Sequence, residues 1–307
     1  MQALGSPRFR VNVPVLTSSA LAVASVLAAC AHPAHAPSPA ASAGLPSAKA
    51  SAASNCPPPA LFCDGFEDDA LGQPPAAPWR NETGTSGASV SVDATRAFSG
   101  QHSVHVSAPK GAAYRRGYFA IHQNPVFPAA AHEMYGRAMM WLDAAPITPP
   151  GKPDVHWTFI QGEGRSADDT FNSLYRFGGQ HRAGLGLMAN YETTPPVKSD
   201  CWLHSEASLP VQHWACLEWH FAVASNEMQL WLDGQELNDL HVIDRPNSAE
   251  TGCLGTERLK GEWLAPPAFQ SLYLGWERYQ EPENDQNLWI DDVVISKERV
   301  GCPAPAP

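Results

Sequence analysis

Helical periodicity is nearly missing from this 307-residue chain. Few stretches set apolar residues three and four apart, so a helical bundle has little from which to build a core. Positive charge is scarce too: 20 Lys and Arg face 31 Asp and Glu, a formal net charge of −11. A surface of that sign repels phosphate backbones, and nucleic acid is not an expected partner. After Ala29 no apolar run is long enough to span a bilayer. No Cys-x-x-Cys pair or close histidine spacing marks a zinc site. A Gly-x-Ser-x-Gly elbow is also lacking, which argues against a Ser-His-Asp hydrolase. No internal repeat is visible.

What is present begins with an address. Arg8 and Arg10 precede an apolar stretch from about Val11 to Ala29, which closes on Leu27-Ala28-Ala29-Cys30. A basic start, an apolar middle and small residues before a cut site make a secretory signal over residues 1–29. Cysteine directly after Leu-Ala-Ala resembles the bacterial lipobox, so Cys30 is the expected lipidation site. The implied location is the bacterial cell envelope or its outside, with membrane contact only through a lipid anchor. Residues 30–58 are almost all Ala, Pro, Ser, Gly and His. Such a segment cannot bury enough apolar surface to offset its ordering entropy, and it reads as a tether. One domain is expected over residues 59–303, with a tail at 304–307 and a monomeric state.

Within that domain, short runs alternate apolar and polar residues between Gly, Pro, Asn and Asp. Twelve strands are expected: Ser89–Asp93, Ser103–Ser107, Tyr118–His122, Met134–Leu142, His156–Gln161, Leu174–Phe177, Leu185–Asn190, Trp202–Glu206, Trp214–Ala222, Met228–Leu232, Gln270–Gly275 and Leu288–Ser296. Their number and the lack of helix indicate an all-β antiparallel sandwich or jelly roll. Asp233-Gly234 is a hairpin turn, because Asp-Gly supplies positive φ between strands. In Trp214–His220 one face carries Trp214, Cys216, Glu218 and His220 and the other Ala215, Leu217 and Trp219. Alternation sets His156 and Thr158 opposite Trp157, Phe159 and Gln161, and Arg176 opposite Tyr175 and Phe177. Such polar rows are either solvated surface or a binding groove. Trp157, Trp219 and Trp231 are expected inside, while His105, His122 and His204 show no partner pattern.

With Cys30 lipidated, six cysteines remain, an even number that suits disulfides in an exported chain. The pairing expected is Cys216–Cys302, Cys201–Cys253 and Cys56–Cys63.

Several short motifs occur in one order: Phe66-Glu67, Ser99-Gly100-Gln101-His102-Ser103, Arg176-Phe177-Gly178-Gly179-Gln180, and the closing segment Leu274–Cys302 with Gly275-Trp276-Glu277, Tyr279, Trp289, Asp291-Asp292 and Arg299-Val300-Gly301-Cys302. Together they resemble the core domain of the fungal cellulose-induced protein Cip-one and its bacterial relatives, over roughly Phe62 to Cys302. The resemblance implies a concanavalin A-like jelly roll of two antiparallel sheets, similar to glucuronan lyases of polysaccharide lyase family 20, with a structural calcium. By position, Glu67 and Asp291 match the family's calcium carboxylates, and Ser99 and His102 would offer backbone carbonyl oxygens, a donor set calcium accepts. Asp292, by alternation, points away from Asp291. The resemblance places Arg176, Gln180, His156, Glu218, His220, Trp276 and Tyr279 along the family's groove. Leu174 stands where the family has a histidine; if that histidine takes part in proton transfer, this chain lacks one participant.

A uronate lyase abstracts the proton α to a carboxylate and expels the glycosidic oxygen. It needs a cation or amide to neutralise the carboxylate, and a base and an acid within reach. Arg176 with Gln180 or Asn190 suits the first task, and Tyr279 and His156 the second. A polysaccharide is the expected partner either way, because ten tryptophans among many amides also suit a glycan binder without catalysis. A glycosidase, the third reading, would draw its carboxylate pair from Glu218 and Glu277, without the Glu-x-Asp-x-x-Glu spacing of jelly-roll glucanases.

Overall fold

The computed structural model describes residues 56–122, 132–181, 185–194, 200–243 and 264–303. The lipidation site Cys30, the signal segment 1–29, most of the tether, Cys253 and the tail 304–307 lie outside the described residues. Those described form β1 (Ala60–Asp64), β2 (Trp79–Asn81), β3 (Ser89–Asp93), β4 (Ser103–Ala108), β5 (Arg115–His122), β6 (Glu133–Leu142), β7 (His156–Arg165) and β8 (Asn172–His181). They continue with β9 (Leu185–Thr194), β10 (Asp200–His204), β11 (Trp214–Ala222), β12 (Glu227–Leu232), β13 (Gln235–Glu236), β14 (Val242–Ile243), β15 (Ser271–Arg278) and β16 (Gln286–Ser296), plus a 3-10 turn at Asn238–Leu240. All twelve expected strands are present. The short strands β1, β2, β13 and β14 went unread, because two to five residues show too little alternation to register.

Two antiparallel sheets result. One runs β13-β12-β11-β6-β16-β4-β3, with β1 also paired to β16 and β14 to β12; the other runs β10-β9-β8-β7-β15-β5-β2. The core lies between them, as period-two alternation requires. Leu217, Trp219 and Phe221 of β11 join one cluster with Trp157, Tyr175, Phe177 and Trp276 from the facing sheet. Phe177 and Phe221 stack across the divide at 5.4 Å and 12°, a pairing worth about 0.5–1.5 kcal/mol beyond area burial. Trp231 is buried as expected but outside this core, beneath the Arg299 guanidinium at 4.7 Å.

One irregularity changes which side chains share a face. The β7–β8 register shifts between Thr158 and Ile160. Phe159 and Ile160 both enter the core there, so the extra residue is absorbed as a bulge. Gln161 therefore emerges on the same face as His156 and Thr158. Strict alternation placed it opposite.

Two of the three expected disulfides, Cys56–Cys63 and Cys216–Cys302, are formed. The second ties the C-terminus to β11 across 86 residues of sequence. Beside it the buried Glu218 accepts bonds from Arg299 Nη2 at 2.7 Å and the Gly301 amide at 2.8 Å. Cross-linking stabilises chiefly by restricting the unfolded chain. Cys302→Ser should lower unfolding free energy in denaturant titration by about 2–5 kcal/mol.

Candidate active groove

The outer face of the seven-stranded sheet carries polar residues in register. Gln161, Arg176, Asn190 and Trp202 form one cross-strand row, from β7 to β10. Leu174, Glu192 and Asp200 form the next. A third row reads Thr158, Gly178, Met188 and His204. The glycine in its middle leaves a gap in the carpet of side chains. A Cβ on Gly178 would fall 1.8 Å from the Trp157 carbonyl oxygen, so the close approach of β7 and β8 at the bulge also requires glycine. Over this floor sits a cavity of about 350 Å³ edged by His156, Arg176, Asn190, Glu192, Trp202 and Tyr279.

Arg176 is the fixed cation of the cavity. Its Nε donates to Gln161 Oε1 at 2.7 Å, its Nη1 to Asn190 Oδ1 at 3.2 Å, and it forms an ion pair with Glu192. Burial opposes its charge, but Tyr279, Glu192 and Glu277 outweigh that and hold the guanidinium above its ordinary range. His156 stacks on Tyr279, with ring centroids 4.7 Å apart. Burial lowers the His156 pKa below 6.5, and Asp200 pulls the other way. The imidazole is thus a neutral base at pH 7. Burial pushes the Tyr279 phenol well up, against the neighbouring Arg176, and it stays protonated.

Behind Tyr279 stands a carboxylate that the sequence reading offered only to a glycosidase. Glu277, 5% exposed, accepts from Tyr279 at 2.9 Å, Tyr114 at 2.6 Å and Tyr118 at 3.3 Å. Burial first, then this carboxylate, lifts the Tyr114 phenol to about 12.

Arg176, Tyr279, His156 and Asn190 are therefore brought together. Gln180 lies opposite His156 on β8 and bonds His204 at 2.6 Å, at the edge of the same face. Three expected groove residues are elsewhere. Trp276 is fully buried and stacks on Trp157 at 5.3 Å. It shares an inward face with Leu272 and Leu274, as plain alternation along β15 dictates. Glu218 and His220 stand on β11, in the other sheet. Glu218 holds Arg299, and His220 bridges Gln229 and Glu133 at 2.8 Å each while stacking on Tyr135. Glu218 and Glu277 thus belong to different sheets and cannot flank one glycosidic bond, which removes the glycosidase pair.

Glu192, Asp200 and Trp202 were missed or unassigned. The available signal was alternation: Glu192 follows Asn190 by two on a strand longer than expected, and Asp200 precedes Trp202 by two on a strand that starts two residues earlier than expected. His105, His122 and His204 do have partners. His122, for example, bridges Ser271 at 2.8 Å and Glu82 at 3.0 Å.

The expected calcium residues converge on the loop Phe98–His102. Asp291 accepts the Phe98 and Ser99 amides at 2.7 and 3.1 Å, and Glu67 accepts the Gln101 and His102 amides at 2.9 Å each. Asp292 does not point away. A register shift after Asp291 and a φ of 46° at Asp292 bring its carboxylate to Ser99 Oγ at 2.8 Å. Burial, then the Asp292 charge, pushes the Asp291 carboxyl up to about 7. Buried Asp291, half-buried Asp292 and exposed Glu67 thus share one loop, with lone pairs beyond those the amides use.

Two antiparallel sheets around one core, with a polar groove outside one of them, define a jelly-roll domain of the polysaccharide-lyase-like class. The family model described as Cip1-like, core domain, matches residues 68–298, and the chain belongs to that family. Among solved structures it is similar to "Cellulose induced protein, Cip1", at 22% identity and TM-score 0.54 over 79% of this chain and 100% of that one. That likeness shows the fold. An endo-β-1,4-glucuronan lyase from the fungus Trichoderma reesei also matches, at 11% identity and TM-score 0.49 over 78% of this chain and 96% of that one. No curated protein matches by sequence.

The Glu277 charge raises the pKa of the phenols around it. Glu277→Gln should move part of the alkaline tyrosine titration, followed by tyrosinate absorbance, to lower pH.

Proposed function

We propose that this protein binds a uronic-acid-containing polysaccharide in the groove and cleaves it by β-elimination. The carrying observation is the convergence of Arg176, His156 and Tyr279 in one cavity. In this reading Arg176, with Asn190, neutralises the uronate carboxylate and so stabilises the enolate-like intermediate. Neutral His156 takes the proton α to that carboxylate. The released electron pair forms the C4=C5 double bond, the C4–O bond breaks, and Tyr279 protonates the departing glycosidic oxygen. The opposite pKa directions favour this division of labour over the reverse. The Tyr279 O–H, which rests on Glu277, turns to the glycosidic oxygen for the transfer, and Arg176 then steadies the tyrosinate.

One observation favours a second reading, a glycan binder without chemistry. Arg176 is already ion-paired with Glu192, and Asp200 adds another negative charge to the cavity wall. A uronate must displace that pairing, whereas a neutral sugar need only accept and donate hydrogen bonds over Trp202.

Incubation with glucuronan, alginate and other uronate polymers should give the ultraviolet absorbance of an unsaturated uronate. His156→Ala and Arg176→Ala should each lower kcat/KM by roughly 10²–10⁴-fold. The acid limb of the pH profile should lie below pH 6.5, because activity needs the imidazole neutral and burial depresses its pKa. Retained polysaccharide binding with no absorbance change on any polymer would select the binder.

A structural calcium forms part of the same proposal. Glu67 and Asp291, with backbone carbonyls at Ser99 and His102, would hold it, and the charge of buried Asp291 beside Asp292 is what it would balance. Saturating calcium should raise the melting temperature by about 5–10 °C, the shift for a ligand at about a hundred times its Kd. Asp291→Asn should abolish the response. The lipid anchor at Cys30 and export to the cell envelope likewise belong to the proposal, and mass spectrometry of the membrane fraction would report the acylated cysteine.

A further inference from the structure

The groove does not stop at Tyr279. On the far side of that residue lies a second cavity of about 360 Å³, walled by Pro149, Pro153 and Pro282 and edged by Lys152, Gln280 and Glu281. Tyr279 lines both cavities. The neighbouring Tyr114, 46% exposed, holds its ring centroid 6.2 Å from that of Tyr279.

This second cavity is pre-formed. Its two loops are fastened to each other and to the sheet. The Glu283 amide donates to the Ile147 carbonyl at 2.9 Å, and the Ile147 amide to Asn284 Oδ1 at 2.9 Å. The Asn284 side chain reaches the Ala145 carbonyl at 2.8 Å. Gln280 Oε1 accepts the His156 amide at 2.9 Å, which fixes the loop to the base of the first cavity. Buried Arg278 anchors the Tyr114 loop by donating to the carbonyls of Pro109 and Ala112, at 2.6 and 3.0 Å. A ligand entering here orders little that is not already ordered, which removes much of the usual cost of binding.

The two cavities differ in chemistry. The first centres on a guanidinium buried among acceptors. The second has apolar proline faces and one exposed cation beside one exposed anion. A Lys–Glu edge offers donors and an acceptor without net charge, which suits the hydroxyls of a sugar and gives a second carboxylate no preference. Proline and tyrosine surfaces match the C–H faces of a pyranose.

We propose that the second cavity holds the sugar that departs with the glycosidic oxygen, so that the glycan chain crosses Tyr279. The proposal rests on the β-elimination reading and deepens it. The uronate lies against Arg176, the scissile bond lies over the Tyr279 hydroxyl, and the departing unit is read by its hydroxyls through Lys152 and Glu281. The substrate class that follows is a polymer with an obligatory uronate on one side of the cleaved bond and a sugar free to be neutral on the other. A chain leaving the first cavity the opposite way, over Tyr273 and His122, would never touch Lys152.

The test is binding, read by tryptophan fluorescence with Trp202 as reporter. Glucuronic acid, which fills only the first cavity, and a glucuronan hexamer are titrated into wild type, Lys152→Ala, Glu281→Ala and Arg176→Ala. Both Lys152 and Glu281 are exposed, and unchanged melting temperatures establish that their variants fold. Expected is about a tenfold loss of hexamer affinity in each, as for one lost hydrogen bond to a charged group, with glucuronic acid binding unchanged. Hexamer affinity equal to wild type in both variants overturns the second cavity as a subsite. Hexamer binding indifferent to Arg176→Ala overturns the uronate reading itself, and no wild-type binding of either probe overturns both.

Discussion

Because Phe159 and Ile160 both turn inward, β7 carries one residue more than its partner can pair, and polar side chains on either side of that point emerge on one surface. Without the shift, Gln161 would lie in the core and Arg176 would lose its 2.7 Å acceptor. Gly178 is the counterpart on β8, since only a residue without a Cβ fits against the Trp157 carbonyl there. The same glycine removes a side chain from the middle of a cross-strand row. One local departure from regular pairing therefore shapes both the floor of the cavity and the support of its cation.

Charge accounts for the rest of the groove. A guanidinium as buried as that of Arg176 must find acceptors, because an unpaired buried ion costs several kcal/mol. Gln161, Asn190 and Glu192 fill that role. On the other side of Tyr279, Glu277 solves the opposite problem, a buried anion satisfied by three phenols. Tyr279 thus lies between a fixed positive and a fixed negative charge, each of which restrains the other's effect on its proton.

The sandwich was legible because strand alternation is a strong local signal: Leu217, Trp219 and Phe221 point inward in the sequence as they do in the structure. The groove was half legible. Arg176, His156 and Tyr279 came from matching residues in order, Asn190 from the need for an amide beside Arg176, and the sheet does collect them. The same matching misplaced Trp276, which alternation with Leu272 and Leu274 already put inside, and Glu218 with His220, whose strand belongs to the opposite sheet. No pairwise spacing tells which of two sheets a strand will join. Gln161 and Asp292 failed for a different reason, since each lies at a register shift that inverts the period-two rule. Glu192 was lost by ending its strand at Asn190, and Asp200 by starting its strand two residues late.

The last strand of the chain, β16, occupies the middle of its sheet, paired on either side with β6 and β4, and with β1 as well. A polypeptide made from its N-terminus must therefore wait for its final segment before that layer can join up. Until then β4 and β6 have no common neighbour, and the disulfide of Cys302 lacks one of its halves. Closure of this layer therefore waits on β16, as in topologies rich in distant contacts.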